Sequence, residues 1–293
     1  MREYFSLLPF EIVNEIRLIK EPLAEIRIRR GRVLCVTVID ERDGSIGFHN
    51  RTLGIKIDRS LMSRTIETLT GNSLYSHENT VKEGYITVQD IFRIGVSGKA
   101  LSEKGEILQI SRIDSLCLRV IRDAIGTAGA VYRFLENGAF RRSLLIFAPP
   151  GYGKTTLIRD LSYTLALRLR VALIDSRFEI ATKRAEKIPH LDILSGYPKA
   201  KGIEIAARVL FPEYLICDEI GQLDELSPLL AVQNVGVPIV MTAHAGSVSE
   251  LFSKELFVRL HQKHVFDAYA LIDRLHSDRE ADLSFYLWEE ISL

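Results

Sequence analysis

The first 125 residues contain short hydrophobic patterns of two kinds. Apolar residues recur at helical spacing over residues 6–20 and 60–69, which predicts two amphipathic helices. Other segments alternate apolar and polar residues or form short apolar runs, which is typical of strands. The predicted strands cover residues 24–29, 32–39, 85–88, 92–96, 106–109 and 117–121. Residues 40–55 are polar and rich in turn formers, so we expect a loop there and a small α+β domain over residues 1–125.

From Phe140 onward, nearly continuous apolar segments alternate with helical ones. The apolar segments cover residues 143–148, 171–175, 214–217 and 237–242. Strands that are apolar on both faces are typical of a parallel sheet with helices on either side. The fold prediction is therefore α/β, with a parallel-sheet domain over residues 126–293 that follows the smaller α+β domain.

The first of these apolar strands runs directly into a phosphate-loop pattern. Residues 148–155 match glycine-x4-glycine-lysine-threonine, with Ala148 in place of the first glycine. We expect the loop glycines to let the backbone wrap around phosphates, and the following helix to offer free N–H groups and the positive end of its dipole. The alternative is a glycine-proline turn that happens to contain a lysine, but strand, loop and helix occur in the required order. The predicted nucleotide-binding residues are Pro150, Gly151, Tyr152, Gly153, Lys154, Thr155 and Thr156.

Specific roles follow for the lysine, one threonine and a pair of acids. The ammonium of Lys154 is expected to neutralise the β- and γ-phosphates, and the hydroxyl of Thr155 to bind Mg²⁺. The apolar strand over residues 214–217 ends in Asp218 and Glu219. We expect Asp218 to hold the Mg²⁺ through a water and Glu219 to orient or deprotonate the attacking water. An acidic helix cap after a strand is the alternative for this pair.

Two further segments carry candidate catalytic side chains. Asp175 and Glu179 follow a predicted strand, and they are either further acids near the γ-phosphate or the solvated start of a helix. His244 follows another predicted strand and is expected to donate a hydrogen bond to phosphate or water. For this segment the alternative is a capping Thr242 beside a surface histidine.

The charge balance, the lengths of the apolar runs and the cysteine content indicate which binding partners to expect. The 293 residues include 38 basic and 38 acidic side chains, so the formal net charge is zero and we expect no nucleic-acid partner. No apolar run approaches the ~18–20 residues that span a bilayer, so we expect membrane association only through partner proteins. Cys35, Cys117 and Cys217 form neither a disulfide framework nor a zinc site, and each is expected to be a small buried hydrophobic residue.

The expected cofactors are ATP and Mg²⁺. Residues 218–221 also fit the aspartate-x-x-glycine element of GTPases, but residues 182–185 lack the aspartate of a guanine-reading box. Glu219 sets the chain apart from most small-molecule kinases, in which the acceptor substrate supplies the nucleophile. Two alternatives stay open, namely a RecA-like nucleic-acid motor with the same ATP site and a nucleotide-gated scaffold with little turnover.

The order of motifs across both halves resembles the stage III sporulation protein AA family, ATPases of endospore-forming bacteria related to type II and type IV secretion ATPases. The motifs that carry the resemblance lie at residues 8–12, 25–29, 84–87, 93–99, 119–122, 148–160, 196–202, 212–213, 218–221, 242–244 and 266–269. The resemblance implies a RecA-like P-loop ATPase domain and assembly as a homo-oligomer, specifically a hexamer. It further implies a cytoplasmic location at the mother-cell face of the forespore membrane, where the ATPase energises a secretion-like channel built from proteins of the same sporulation operon.

Two motifs depart from the family pattern, namely the phosphate loop at Ala148 and the segment after the second strand of the ATPase domain. The family usually reads Asp-Glu-Arg-Ser/Gly-Glu after the second strand of the ATPase domain. Here Ser176 and Phe178 replace two of those positions, while Asp175, Arg177 and Glu179 stay in register. The role of this box is therefore open.

The resemblance also implies a role for two arginines of the first domain. In the secretion ATPases, arginines of the N-terminal domain close onto the nucleotide, which implies that Arg119 or Arg122 acts as an arginine finger. The alternative is that both are surface charges or pair with acids such as Asp114 and Asp123.

Overall fold

The computed structural model describes residues 5–42, 45–88, 92–121, 123–276 and 279–292. Contacts divide the chain into two units, residues 1–122 and residues 123–293. Each unit is built around its own sheet.

Unit 1 combines an antiparallel sheet with helices. The helices are α1 (Phe10–Arg17), α2 (Arg59–Thr70) and α3 (Glu78–Lys82). The strands are β1 (Leu23–Arg29), β2 (Val33–Arg42), β3 (Ser45–Lys56), β4 (Tyr85–Val88), β5 (Phe92–Glu103) and β6 (Glu106–Arg119). They lie in the order β3-β2-β1-β6-β5-β4, and each paired strand is antiparallel to its neighbour. Ile26 and Ile28 of β1 pack in one buried cluster with Ile12 and Ile16 of α1, so alternate strand residues form the core.

Three details of unit 1 differ from the sequence predictions. The first helix is shorter than predicted because the backbone is still extended at Pro9, with φ −55° and ψ 146°. The loop predicted over residues 40–55 is wrong, since β3 pairs with β2 from Ser45 onward. An edge strand with an exposed face accepts polar residues, so its composition resembles that of a loop. The strand predicted at residues 106–109 and the first three residues of the one predicted at 117–121 belong to one strand, β6, whose pairing with β5 continues through several register irregularities.

Unit 2 alternates strands and helices along the chain. Its helices are α4 (Gly129–Asn137), α5 (Lys154–Leu165), α6 (Lys199–Ile205), α7 (Leu226–Asn234), α8 (Val248–Phe252) and α9 (Glu255–Gln262). Its strands are β7 (Leu144–Ala148), β8 (Val171–Asp175), β9 (Leu191–Ser195), β10 (Tyr214–Glu219), β11 (Ile239–His244), β12 (Ala268–Arg274) and β13 (Asp282–Leu287). The sheet order is β13-β12-β7-β11-β10-β8-β9. Strands from β12 to β9 run parallel, and β13 is antiparallel to β12.

The central strands of unit 2 are buried on both faces. Every residue of β7 and β8 is buried, and so are the first five residues of β10 and of β11. Hydrophobic clusters lie on the two sides of this sheet, one around Phe147 and Met241 and the other around Ile146 and Val240. The predicted α/β class, with a parallel sheet preceded by a smaller α+β unit, is confirmed.

The structure also bears on the predictions for membrane-spanning helices and for the three cysteines. Among the described residues, no helix combines the length and apolar character needed to cross a bilayer. All three cysteines are free thiols, with Cys217 buried as expected and Cys35 and Cys117 only half-buried.

Candidate functional site

Four neighbouring parallel strands end at the same edge of the sheet in unit 2. In the order β7, β11, β10 and β8, their last residues are Ala148, His244, Glu219 and Asp175. Open α/β sheets bind ligands at the carboxyl ends of their strands. The strand order therefore brings candidate residues together that are nearly 100 positions apart in the chain.

The loop after β7 has the backbone conformation that its glycines allow. Gly151 and Gly153 have φ angles of 84° and 78°, in the left-handed region that glycine adopts without steric penalty. A Cβ atom on Gly153 would also come within 2.2 Å of Leu275 Cδ2, whereas one on Gly151 would meet no atom within 4 Å. Ala148 is the buried last residue of β7 and does not have a positive φ, so that position does not require glycine.

Helix α5 begins directly after this loop and presents its N-terminus there. Gly153 is the N-cap and provides no side chain to satisfy the free N–H groups of the first turn. Thr155 and Thr156 lie half-buried in that turn, and Pro150 and Tyr152 are exposed in the loop. An uncapped helix N-terminus beside a glycine loop is a ready site for a phosphate.

Lys154 is buried and turned back into the protein. Its Nζ donates hydrogen bonds to the carbonyl oxygens of Ala148 at 2.7 Å and Pro149 at 3.0 Å, and it lies 2.7 Å from Nδ1 of His244. Burial lowers the pKa of Lys154 to about 8; the carboxylate of Glu219 opposes this shift, and the charge of Lys254 adds to it.

His244 connects this lysine to Glu219. Its Nε2 lies 2.7 Å from Oε2 of Glu219. A lysine ammonium has only donors, so Nδ1 of His244 accepts and its Nε2–H donates to the glutamate. Three residues that the sequence indicated separately thus form one hydrogen-bonded chain, Lys154–His244–Glu219.

Asp218 is buried and contacted on both carboxylate oxygens. Ser176 donates a hydrogen bond to Oδ2 at 2.8 Å, and Lys199 Nζ lies 3.3 Å from Oδ1. Lys199 also contacts the main-chain carbonyl of Glu219 and lies 3.1 Å from Oε1 of Glu225. Burial lowers the pKa of Lys199, but neighbouring groups, Asp218 foremost, raise it more, and the net shift is upward.

Sequence reasoning missed Lys199, Ser176 and Glu225 as parts of this site. Lys199 and Ser176 appeared only within motifs, without a role, and Glu225 was not singled out. The available signal was weak: a lysine at the start of a helix and an acid six residues after Glu219 are common on protein surfaces.

Asp175 has a structural role that neither expectation described. It is fully buried, and its carboxylate accepts backbone hydrogen bonds from Glu179 at 2.9 Å, Ile180 at 3.1 Å and Ala181 at 2.8 Å. Arg159 of α5 donates to the carbonyl oxygens of Glu179 and Ile180, both at 2.6 Å. Burial raises the pKa of Asp175 despite these hydrogen bonds. The alternative that residues 175–179 form the solvated start of a helix is therefore wrong. A catalytic role for the Glu179 side chain stays a prediction.

The two altered positions of this box have their own contacts. Ser176 supplies the hydroxyl that binds Asp218. Phe178 has a positive φ of 56°, and its ring lies against Gly196, where a Cβ would come within 2.6 Å of Phe178 Cζ. The turn therefore tolerates both departures from the family pattern, because each side chain has a packing or hydrogen-bonding partner.

The two predicted arginines belong to unit 1. Arg119 is the exposed last residue of β6 and is paired in register with Glu25 of β1. Arg122 falls outside the described residues. The arginine-finger role stays a prediction for both.

The side chains present suit Mg²⁺ bound together with a nucleotide. Among the described residues there is no group of three or more histidine, cysteine, aspartate or glutamate side chains able to hold a metal on their own. Mg²⁺ prefers oxygen ligands and is usually held by one or two protein groups together with substrate phosphates and waters. A hydroxyl at Thr155 and the carboxylate of Asp218 at this sheet edge match that pattern.

Two solved structures share the fold over nearly the whole chain. The Legionella pneumophila ATPase DotB matches with a TM-score of 0.61 and 15% identity, covering 95% of this chain and 80% of DotB. The pilus retraction motor PilT, solved with bound ADP, matches with a TM-score of 0.57 and 15% identity, covering 95% of this chain and 82% of PilT. At identities this low the likeness shows the fold alone, which is a RecA-like parallel-sheet fold preceded in the chain by a smaller α+β unit.

Sequence comparison identifies the family. Stage III sporulation protein AA of Bacillus subtilis (strain 168) is 31% identical over 220 residues, which cover 71% of this chain and 71% of that protein. The model of the family described as sporulation stage III, protein AA, matches residues 6–281. The predicted resemblance is thus confirmed, and the chain belongs to the sporulation stage III protein AA family.

Proposed function

We propose that this chain is a Mg²⁺-dependent ATPase whose cycle drives the assembly or operation of a secretion-like channel complex during endospore formation. The observation that carries the proposal is the chain Lys154–His244–Glu219, because it joins the expected phosphate-binding group to the expected water-activating group. The fold shared with an ATPase and with a motor solved with bound ADP supports the proposal, and family membership supports the link to sporulation.

In the proposed reaction, Lys154 exchanges its backbone and histidine partners for the β- and γ-phosphates. Thr155 and Asp218 would hold the Mg²⁺, whose charge, when bound, offsets that of the phosphates. Glu219 would orient the attacking water and accept its proton while the water oxygen bonds to the γ-phosphorus, the bond from that phosphorus to the β–γ bridging oxygen breaks, and ADP leaves. When Lys154 binds phosphate, Nδ1 of His244 loses its hydrogen-bond donor. Because Nε2 of His244 contacts Glu219, phosphate binding at Lys154 would then affect the position of Glu219 through His244.

The proposal includes a homo-oligomer, specifically a hexamer, bound to membrane channel proteins of the same sporulation operon. Its proposed location is cytoplasmic, at the mother-cell face of the forespore membrane. Support comes from family membership and from the fold shared with DotB and PilT. If assembly completes the site, ATPase activity per subunit should rise with protein concentration and level off.

The first test compares ATP hydrolysis and ATP binding in matched variants of the full chain. Lys154→Ala should abolish binding or hydrolysis while the protein remains folded. Glu219→Gln should bind ATP and lose hydrolysis, whereas Asp218→Asn should weaken the Mg²⁺-dependent part of binding. Asp224→Asn is the control, because Asp224 is an exposed acid in the same segment.

Four results would contradict the proposal or parts of it. Unchanged turnover in folded Lys154→Ala would exclude the phosphate-loop assignment. Identical behaviour of the two acid variants at saturating Mg²⁺ and ATP would exclude their separate roles. Stoichiometric ATP binding without turnover would favour the nucleotide-gated scaffold, and a steeply salt-dependent DNA affinity would favour the nucleic-acid motor.

We further propose that Arg119 or Arg122 stabilises the charge of the transferred phosphate. An arginine finger is worth about 10³–10⁵ in rate, so alanine at the acting position should lower turnover at least about tenfold with a modest loss of affinity. Arg112→Ala is the control, since Arg112 is on β6 and pairs with Asp114. Turnover in both variants equal to that of Arg112→Ala would contradict this role.

A further inference from the structure

Lys199 is a lysine enclosed by acidic and carbonyl oxygens. Only 12% of its side chain is exposed, and its ammonium contacts Asp218 Oδ1 at 3.3 Å, Glu225 Oε1 at 3.1 Å and the carbonyl oxygen of Glu219. An ammonium has three donors, which matches these three acceptors. A buried cation with every donor directed at one short segment holds that segment in a defined position.

Lys199 contacts Asp218 of the proposed Mg²⁺ site, the main chain of Glu219 and the carboxylate of Glu225. Glu225 is buried, and its other carboxylate oxygen accepts the backbone N–H groups of Gly221 at 2.9 Å and Gln222 at 3.0 Å. Lys199 thus connects Asp218 and Glu219 to the turn that follows them. Without the ammonium, the buried carboxylates of Asp218 and Glu225 would lose their shared cation and repel each other.

We propose that Lys199 is the positioning residue of the Mg²⁺ site, holding Asp218 in the orientation that binds the cation or its water and fixing Glu219 beside it. Ser176 contacts the other oxygen of Asp218, so the carboxylate is oriented from two separate elements, α6 and the turn after β8. Oδ1 of Asp218 also accepts a weak hydrogen bond from Sγ of Cys217 at 3.7 Å, whereas Oδ2 keeps a lone pair for a metal-bound water. This inference rests on the proposed function, because it assigns Asp218 to Mg²⁺.

A competing role for Lys199 predicts the opposite change in Mg²⁺ affinity when the lysine is removed. If the ammonium only occupied the place of a cation, removing it would leave a more negative site, and Mg²⁺ would bind more tightly. If it positions Asp218, removing it should weaken Mg²⁺ binding, since the loss of an outer partner of a metal ligand typically costs 10–100-fold in affinity. The direction of the change therefore decides between the two roles.

The test measures binding of the fluorescent analogue mant-ATP to the full chain, with Mg²⁺ and with EDTA. The ratio of the two affinities is the Mg²⁺-dependent gain. Lys199→Met should reduce this gain at least about tenfold and change the affinity in EDTA less than about twofold, because the phosphate loop is untouched. Lys201→Met is the matched control, since Lys201 lies two positions away on α6 and pairs at the surface with Glu204.

A double variant separates positioning from general stability. Lys199→Met alone leaves Glu225 buried without its cation and should lower the thermal midpoint of unfolding. The variant Lys199→Met/Glu225→Gln removes both charges and should recover much of that midpoint, yet the Mg²⁺-dependent gain should stay low. Glu225→Gln alone should keep the gain, because Lys199 still contacts Asp218. If Lys199→Met does not fold, the double variant supplies the measurement.

The outcomes are distinct for the two proposals. If the wild-type chain shows no Mg²⁺-dependent gain, the proposed function fails. If the wild type shows the gain and Lys199→Met matches Lys201→Met, only the role of Lys199 is refuted. A tighter Mg²⁺ response in Lys199→Met, or a gain restored in the double variant, would also overturn the positioning role.

Discussion

The low pKa of Lys154 predicts that nucleotide affinity falls at alkaline pH. Burial lowers this pKa to about 8 in the protein without ligand. Bound phosphates would raise it again, because nearby negative charge favours the ammonium. Above pH 8, binding must therefore take up a proton, and affinity should decrease as pH rises.

The size of the decrease in nucleotide affinity follows from the fraction of Lys154 that is protonated before binding. With a pKa of about 8, that fraction is about nine-tenths at pH 7, one half at pH 8 and one-tenth at pH 9. The affinity for ADP should thus fall about tenfold between pH 7 and pH 9. The ligand does not produce this change, since the second pKa of a terminal phosphate is about 6.

Isothermal titration calorimetry with ADP measures both the affinity and the proton uptake. Near pH 8.5, titrations in two buffers of different ionisation enthalpy should differ in apparent enthalpy, because binding draws a proton from the buffer. Lys254→Met should move the decrease to higher pH and Glu219→Gln to lower pH, since Lys254 lowers the pKa of Lys154 and Glu219 raises it. An affinity that changes less than twofold from pH 7 to 9, with the protein folded throughout, would refute the reasoning.

Two further predictions concern stability and are measured by urea unfolding. Gly153→Ala should lower the free energy of unfolding by about 1 kcal/mol more than Gly151→Ala. Both positions have positive φ, but only a Cβ at residue 153 would force the Leu275 side chain to move off its present rotamer. Equal losses would contradict the packing argument. Asp175→Ala should lower the free energy of unfolding by at least about 3 kcal/mol, since it leaves three backbone N–H groups without their acceptor. Asp192→Ala is the control, because Asp192 is exposed. A loss in Asp175→Ala as small as that of the control would contradict the structural role of Asp175.

The α/β class and the phosphate loop could be predicted from the sequence because their signals are local. A strand covered on both faces must be apolar at every position, and β7, β8, β10 and β11 are therefore visible as continuous apolar segments. The phosphate loop is contiguous in the chain and needs glycine where φ is positive, so its residues mark it directly. Strand β3 was missed for the converse reason, because an exposed edge strand needs no such pattern.

The contacts within the site depend on strand order, which short patterns do not contain. Lys154, His244 and Glu219 meet because β11 lies between β7 and β10 in the sheet, although 90 positions separate the first two residues. Each residue type was predictable at its strand end, but the hydrogen bonds between them were not.

The sequence by itself determined the family, the fold class and the residue types at the ends of the central strands. The tertiary structure decided what the polar side chains bind. Asp175 accepts hydrogen bonds from the backbone that follows it, and Arg159 of helix α5 donates to carbonyl oxygens of the same turn. Lys199 reaches Asp218 only because α6 begins beside the end of β10. A buried charged group needs a hydrogen-bonding or ionic partner. Which residue supplies that partner depends on how the elements pack, and not on the spacing of residues along the chain.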